Sequence, residues 1–589
     1  MKICGANTSD QVFNFLKGNF LQNKDINSFN KYIYNIFKIK DFCTQKSDYN
    51  ELIEAFKIEY NAQFQEDRIE YGDFQTPLQL AKKTCYILKN TNPSVCVEPT
   101  CGKGNFIISS LECFQSLDYI YGVEIYKPYT WETKFNIIQF YLNNPQNNQP
   151  EIQIFHQSIF DFDFQFIAQK HSKEEFLLIG NPPWVTNSKL GQLASDNLPK
   201  KSNFKKLNGY EALTGKSNFD IAEFILIQLF RVFEKENGII AFLVKNSVIK
   251  NIIKDSQKKE YKISDFKQYT FDSKKEFNVN VEASVFSASL NKNTTSKCNV
   301  FNINQPEYEI KRFGWHYDNF VSNVQNYELS EKYDGKFPFT WRSGVKHDCT
   351  KVFELKRING HYFNKFNETL EIEDDLIFPL VKSSQLKHSI LENSENYVII
   401  TQRKIGQETS SIKAKFPKLY QYLESKKTLT DNRKSSIYKG KPAFSMFGIG
   451  DYTFKRYKIA ISGLYKKAHF ALLIPQDEKP LIADDTCYTI GFDNLKFAVI
   501  IAYLLNSERC MKFLESITFK DAKRVYTKDI LMRIDLEKLL KDADDSTIFE
   551  CCNITIKKVN PSLSITFDDI TEFRQKFVPK KETQMTLFS

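Results

Sequence analysis

Val95-Cys96-Val97-Glu98-Pro99-Thr100-Cys101-Gly102-Lys103-Gly104-Asn105-Phe106 runs from a short apolar strand through a glycine turn into a helical pattern. That is the opening of a βα unit. Glycine in the turn lets backbone approach a ligand closely, and the start of the helix offers unpaired N–H donors. The spacing departs from Gly-x-Gly-x-x-Gly, which argues against a nicotinamide cofactor. An ordinary βα turn has the same glycines, so the surrounding chain must decide. Strand-like runs follow at Tyr119 to Ile125, Ile152 to Phe155, Phe176 to Gly180 and Gly238 to Val244. Helical patterns lie between most of them, including Phe219 to Glu234. Strands alternating with helices predict an α/β fold on a largely parallel sheet. Val281 to Leu290 reads as a late strand closing an edge.

Glu124 ends the second of these strands, 20 residues after Gly104. A carboxylate there can accept hydrogen bonds from both hydroxyls of a ribose, as in nucleotide-binding α/β folds. The alternative is a solvated strand-end glutamate. Leu178-Ile179-Gly180-Asn181-Pro182-Pro183-Trp184 ends the fourth strand. Its two prolines fix φ and remove N–H donors, giving a stiff turn with outward carbonyls.

Together these strings resemble the amino-methyltransferases that use S-adenosylmethionine. Glu98 to Phe106 is similar to their first motif, with Thr100 where alanine is usual. Phe74-Gln75-Thr76-Pro77, upstream of it, resembles the segment that touches the methionine moiety. That motif order is the gamma order of the TaqI-like adenine-N6 DNA methyltransferases. The resemblance implies a Rossmann-like class I methyltransferase domain with a mostly parallel seven-stranded sheet. It also implies cofactor contacts from Phe74, Thr76, Pro77, Glu98, Pro99, Cys101, Gly102, Gly104, Phe106, Glu124 and Asn181. Ser158, in His156-Gln157-Ser158-Ile159-Phe160, stands where the family has an aspartate against the cofactor adenine, and Asp161 and Asp163 lie nearby. Asn181-Pro182-Pro183-Trp184 matches the catalytic tetrapeptide, with Trp184 where tyrosine is commoner.

The chemistry suits that tetrapeptide. The N6 amine of adenine is a poor nucleophile because its lone pair is delocalised into the ring. The Asn181 side-chain oxygen and the Pro182 carbonyl are two acceptors that could hold both amine hydrogens and favour rehybridisation. Orientation and preplaced dipoles would then carry most of the catalysis. Trp184 would stack on a base flipped out of the duplex. Phe277 aligns with the aromatic expected on the other face of that base, although a simple core phenylalanine reads the same way. Thr214 to Asp220 resembles a stretch of the large enzymes of this group. It lacks the spacing of a phosphate loop.

The 589-residue chain is too long for one compact domain. Residues 1–70 read as a helical N-terminal arm, with patterns over Asp10 to Phe20 and Tyr49 to Phe64. Residues 71–325 hold the methyltransferase domain, and 326–589 a mixed α/β target-recognition domain. The net charge is +10, a modest excess that permits double-stranded DNA as partner without proving it. The 12 cysteines include no Cys-x-x-Cys pair, so no metal site is expected. No apolar run approaches the ~18–20 residues of a membrane span. With no visible secretory signal, a cytoplasmic location follows. In the C-terminal half, Lys426 to Lys441 and the cluster around Lys455, Arg456, Lys458, Lys466 and Lys467 suit phosphate contact. Gln402 and Arg403, with Lys404 and Gln407, could reach base edges. A monomer with a separate cognate restriction endonuclease is expected. The alternatives are a bifunctional restriction-modification enzyme, an RNA or protein-glutamine methyltransferase, and a non-catalytic DNA-binding subunit.

Overall fold

The structure is a computed structural model describing residues 2–20, 25–57, 74–185, 220–257, 262–293 and 295–577. The chain forms two compact units, residues 1–320 and 321–589.

In the first unit, seven adjacent strands form the centre of one sheet. They are β1 (Val95–Glu98), β2 (Tyr119–Glu124), β3 (Glu151–His156), β4 (Glu175–Gly180), β5 (Asn237–Lys245), β6 (Ile263–Thr270) and β7 (Ala283–Leu290). Their spatial order is 3-2-1-4-5-7-6. β1 to β5 are parallel, and β7 runs antiparallel to both of its neighbours. Phe176 to Ile179 on β4 and Ile240 to Val244 on β5 are fully enclosed. Strands covered on both faces need such unbroken apolar runs. The predicted seven-stranded sheet is therefore present, and it is extended to eleven strands. Ile39–Lys40 pairs parallel with β3 at one edge. At the other, β8 (Lys297–Asn302) pairs parallel with β6 and antiparallel with β9 (Gln305–His316), and Asn319–Val321 completes the edge.

The N-terminal segment carries the predicted helix Asp10–Phe20, then Ile26–Phe37 and Lys46–Lys57; the rest of the Tyr49 to Phe64 pattern lies outside the described residues. Asp25 caps Ile26–Phe37 by accepting from the N–H groups of Asn27 and Ser28. Phe29, Ile33 and Phe37 turn into the same apolar core as β1 and β4.

β1 lies between β2 and β4, so the strand order reverses there. In open α/β sheets ligands bind beyond the carboxyl ends of the strands at such a switch point. The glycine turn leaves the carboxyl end of β1 and the Asn181 turn leaves that of β4.

The second unit holds a five-stranded and a six-stranded sheet. Its C-terminal part is helical, from Leu495–Leu505 to Phe567–Phe577. Leu495–Leu505 is almost wholly apolar because it is a core helix. Among the described residues no helix is long and apolar enough to cross a membrane.

Candidate active site

Gly102 and Gly104 take positive φ values of 52° and 81°. A Cβ at Gly102 would lie 2.6 Å from the Gln75 side-chain oxygen, and one at Gly104 would lie 2.7 Å from the Thr133 methyl. Both the backbone conformation and the close approach therefore demand glycine. The turn is fastened from several sides. Cys101 N–H donates to the Val123 carbonyl, Thr133 Oγ1 to the Gly102 carbonyl at 2.8 Å, and Asn136 Nδ2 to the Lys103 carbonyl at 2.9 Å.

Two further bonds, spanning 28 and 29 residues, tie the turn to the upstream segment Phe74–Pro77. Lys103 N–H donates to Gln75 Oε1 at 3.1 Å, and Asn105 Nδ2 to the Thr76 carbonyl at 2.7 Å. Phe74–Pro77 and the glycine turn are one structure, as their resemblance implies. Thr76 is buried, and Pro77 precedes the helix Leu78–Tyr86. Gln75, Thr133 and Asn136 are supporting residues that sequence reasoning missed. Gln75 lies inside the quoted string, whereas Thr133 and Asn136 carry no local signal.

Glu124 holds the mouth of the turn. One carboxylate oxygen accepts from Gly102 N–H at 2.8 Å and the other from Tyr126 N–H at 2.7 Å. Glu98, beneath the turn, is 2% exposed. Its Oε2 has no hydrogen-bond partner among the described residues. Burial, and then the neighbouring Glu124, hold its carboxyl well above the usual range. Pro99, Cys101 and Phe106 are all buried. The Phe106 ring belongs to the core, so it shapes the turn from below rather than facing a ligand. Ser158 organises the turn after β3, where its carbonyl accepts from Asp161 and Phe162 N–H and its hydroxyl from Phe160 N–H. Asp161 is exposed, and Asp163 accepts from Gln165 N–H at the start of the next helix.

At the end of β4, Asn181 Nδ2 donates to the Phe74 carbonyl at 2.9 Å. A carbonyl can only accept, so this bond fixes the amide orientation. Asn181 Oδ1 is consequently enclosed with no partner among the described residues. Thr100 Oγ1 donates to the Asn181 carbonyl, steadying the backbone from the cofactor turn. Pro182 and Pro183 follow, and the Trp184 indole N–H donates to the Leu243 carbonyl on β5 at 3.1 Å.

Phe277 is brought to Trp184, with ring centroids 5.0 Å apart and planes at 65°. Phe74 completes the cluster, 5.7 Å from Trp184 and 6.3 Å from Phe277. The expected sandwich is not open. Aromatic faces enclosing a base must stand roughly 7–8 Å apart, twice the contact distance of carbon atoms. Trp184 is only 6% exposed because the other two rings cover it. Phe277 ends the short helix Ser273–Phe277, just before Asn278 at φ 56°.

Of the Thr214 to Asp220 string, residues 214–219 lie outside the described residues. Asp220 caps the helix Ile221–Phe233 and pairs with Lys245 at 2.6 Å.

In the second unit Gln402 is not a base reader. It is 2% exposed. Its Oε1 accepts from Met446 N–H at 2.7 Å, and its Nε2 donates to the Gln407 carbonyl. Both ends of the side chain are spent on backbone. Arg403 is exposed, with its guanidinium 4.5 Å over the Phe454 ring. Two basic residues of the predicted clusters are also structural. Arg433 donates to the His347 and Ser445 carbonyls. Lys458 is buried, which pushes its ammonium down to about 7, and it donates to the Lys455 and Leu481 carbonyls.

Residues 50–312 match the family model described as N-6 DNA Methylase. The chain is 40% identical over 481 residues to the type II methyltransferase M.NspV of Nostoc sp. (strain ATCC 29411 / PCC 7524), covering 80% of this chain and 98% of that protein. Its fold resembles the type IIL restriction-modification enzyme MmeI, solved in complex with DNA. The TM-score is 0.50 and the identity 12%, over 90% of this chain and 80% of that one. The chain therefore belongs to the N-6 DNA methylase family as a methyltransferase of the restriction-modification type.

Proposed function

We propose that the protein transfers a methyl group from S-adenosylmethionine to the N6 amine of an adenine flipped out of double-stranded DNA. The observation that carries this reading is Asn181: its amide is held by Phe74 so that an enclosed acceptor oxygen has no protein partner. A buried acceptor left unpaired costs about 1–3 kcal/mol unless a ligand satisfies it. An amine hydrogen does so. With Pro182 carbonyl taking the second hydrogen, the lone pair turns out of conjugation with the ring.

The remaining groups fit the cofactor. The cradle at Gly102 and Gly104 admits a ligand against bare backbone, and Glu124 offers acceptors to a ribose. S-adenosylmethionine supplies an electrophilic methyl carried on a sulfonium. The protein positions the amine and excludes water around it. Trp184 forms a fixed wall, and Phe277 must withdraw before a base can lie against that wall. Extrusion costs a few kcal/mol, and stacking returns about 1–3 kcal/mol.

The second unit supplies the charge for DNA. Residues 401–470 contain sixteen Lys or Arg against four Asp or Glu, a local excess larger than the net +10 of the whole chain. Lys404, Lys434, Lys439, Lys441, Lys466 and Lys467 are exposed in it. Such an excess suits phosphate contact. A separate endonuclease reading the same DNA sequence is the partner expected of a type II modification enzyme.

Long-read sequencing of DNA from cells expressing the protein tests the assignment. N6-methyladenine at one recurrent sequence is the expected result, and unmodified adenine throughout would remove it.

A further inference from the structure

Ile405 stands where an apolar side chain has least reason to be. Residues 404–407 form a β-turn, closed by Gln407 N–H donating to the Lys404 carbonyl at 3.2 Å. Ile405 and Gly406 are its two central residues. Gly406 takes φ 79°, as the third residue of a type II turn must. A Cβ there would meet nothing within 4 Å, so the apex projects into open space. Turn centres favour Gly, Pro, Asn, Asp and Ser. Here a β-branched residue holds the first central place, 53% exposed. A single exposed isoleucine elsewhere would pass as ordinary surface. At the apex of a turn it opposes the local preference, and such departures gather at functional positions.

The turn is fastened from below. Thr401 and Thr409 donate to the Phe444 and Ala443 carbonyls, each at 2.7 Å. Buried Gln402 accepts from Met446 N–H and donates to the Gln407 carbonyl. Gln407 Oε1 in turn accepts from Arg403 N–H at 2.7 Å. These bonds present the apex preformed, and a preformed loop gives up little entropy when it binds.

Charge indicates what it binds. Arg403 and Lys404 lead into Ile405, and Glu408 is the one acid among residues 401–410. Lys439 and Lys441, both exposed, lead into the segment that anchors the turn. An apolar apex with a basic rim fits duplex DNA: phosphates meet the cations, and the base faces are apolar.

We infer that this turn is a wedge, with Ile405 inserting between two stacked base pairs of the recognised duplex. Bare Gly406 lets the backbone follow it into the groove. The inference rests on DNA being the substrate, as proposed above, and adds the residue that opens the stack. Unstacking costs free energy, which burial of the isoleucine and closure of the cationic rim on phosphates offset.

The probe is a short duplex carrying the sequence that wild type methylates. Ile405→Ala should bind it roughly tenfold more weakly, the scale of burying one isoleucine. Its slope of log affinity against log salt should stay unchanged, because no charge is lost, whereas Lys404→Ala should lower that slope by about 1. Ile405→Leu should keep most of the affinity. 2-Aminopurine, which brightens when unstacked, replaces in turn each adenine except the methylated one. Wild type should brighten at least one of these positions and Ile405→Ala should not, while both proteins melt at the same temperature. Wild-type affinity in Ile405→Ala would overturn the wedge. So would weaker binding with the brightening intact, which would set Ile405 against thymine methyls in a groove. Unchanged DNA binding with altered sedimentation would make the turn a protein contact and equally remove the proposal. If wild type neither binds nor methylates any duplex, the functional reading itself falls.

Discussion

The Asn181 side-chain amide and the Phe74 carbonyl, 107 residues apart in sequence, meet at 2.9 Å and set which atom of Asn181 faces the site. Asn181→Asp removes the donor and places a carboxylate oxygen against that carbonyl. The side chain should turn away, and turnover should fall while the protein keeps its melting temperature within a few degrees. Parallel kinetics and thermal melts check this.

Gly104 stands at φ 81° with Thr133 against it. Gly104→Ala should cost about 1–2 kcal/mol from the left-handed backbone alone, and more from the contact. Denaturant unfolding reads the first effect. A titration with S-adenosylmethionine should show weakened binding, because the turn must shift to admit the methyl.

Glu98 makes stability depend on pH in an unusual direction. Its folded-state carboxyl titrates above its unfolded value. The stability it contributes is present at low pH and is lost as pH rises through the folded value. Without cofactor, Glu98→Gln should therefore melt higher than wild type at pH 8, and the difference should shrink toward pH 5. A wild-type protein that gains stability relative to the variant as pH rises from 5 to 8 would contradict a neutral Glu98.

Gln402 and Arg403 are adjacent in sequence and opposite in role. Gln402→Ala strips two buried backbone bonds and should cost roughly 1–3 kcal/mol, because groups left unpaired pay their desolvation. Arg403→Ala should leave stability unchanged and weaken binding to duplex DNA. If its guanidinium meets a phosphate, the slope of log affinity against log salt should drop by about 1. Unfolding curves and salt-dependent anisotropy separate the two.

Much of the fold was legible because its strands are short apolar runs bounded by turn residues. β1 and β4 are of this kind, and each is followed by a turn whose glycines or prolines leave few conformations. β6 escaped notice because Ile263-Ser264-Asp265-Phe266-Lys267-Gln268-Tyr269-Thr270 is half polar. β9, beyond β8 at the same edge, buries only two of its twelve residues, and Ile39–Lys40 is too short for any pattern. In the site, the tetrapeptide and glycine turn could be read locally. The anchoring of Asn181 by Phe74, the clamp of Thr133 and the isolation of Glu98 are tertiary relations that no window of sequence contains. The reading of Gln402 failed for a related reason: an amide that can reach a base edge can equally pair with backbone, and burial decides between them.

The central claim is that an oriented Asn181 oxygen activates the amine. The most direct measurement is the N6-methyladenine formed in unmodified duplex DNA by purified wild type and Asn181→Ala, quantified by nucleoside mass spectrometry, with S-adenosylmethionine affinity measured on the same samples. Product should fall by at least ~100-fold, the scale of losing one preplaced polar group, while the cofactor still binds. Methylation at the wild-type rate by Asn181→Ala would contradict the account.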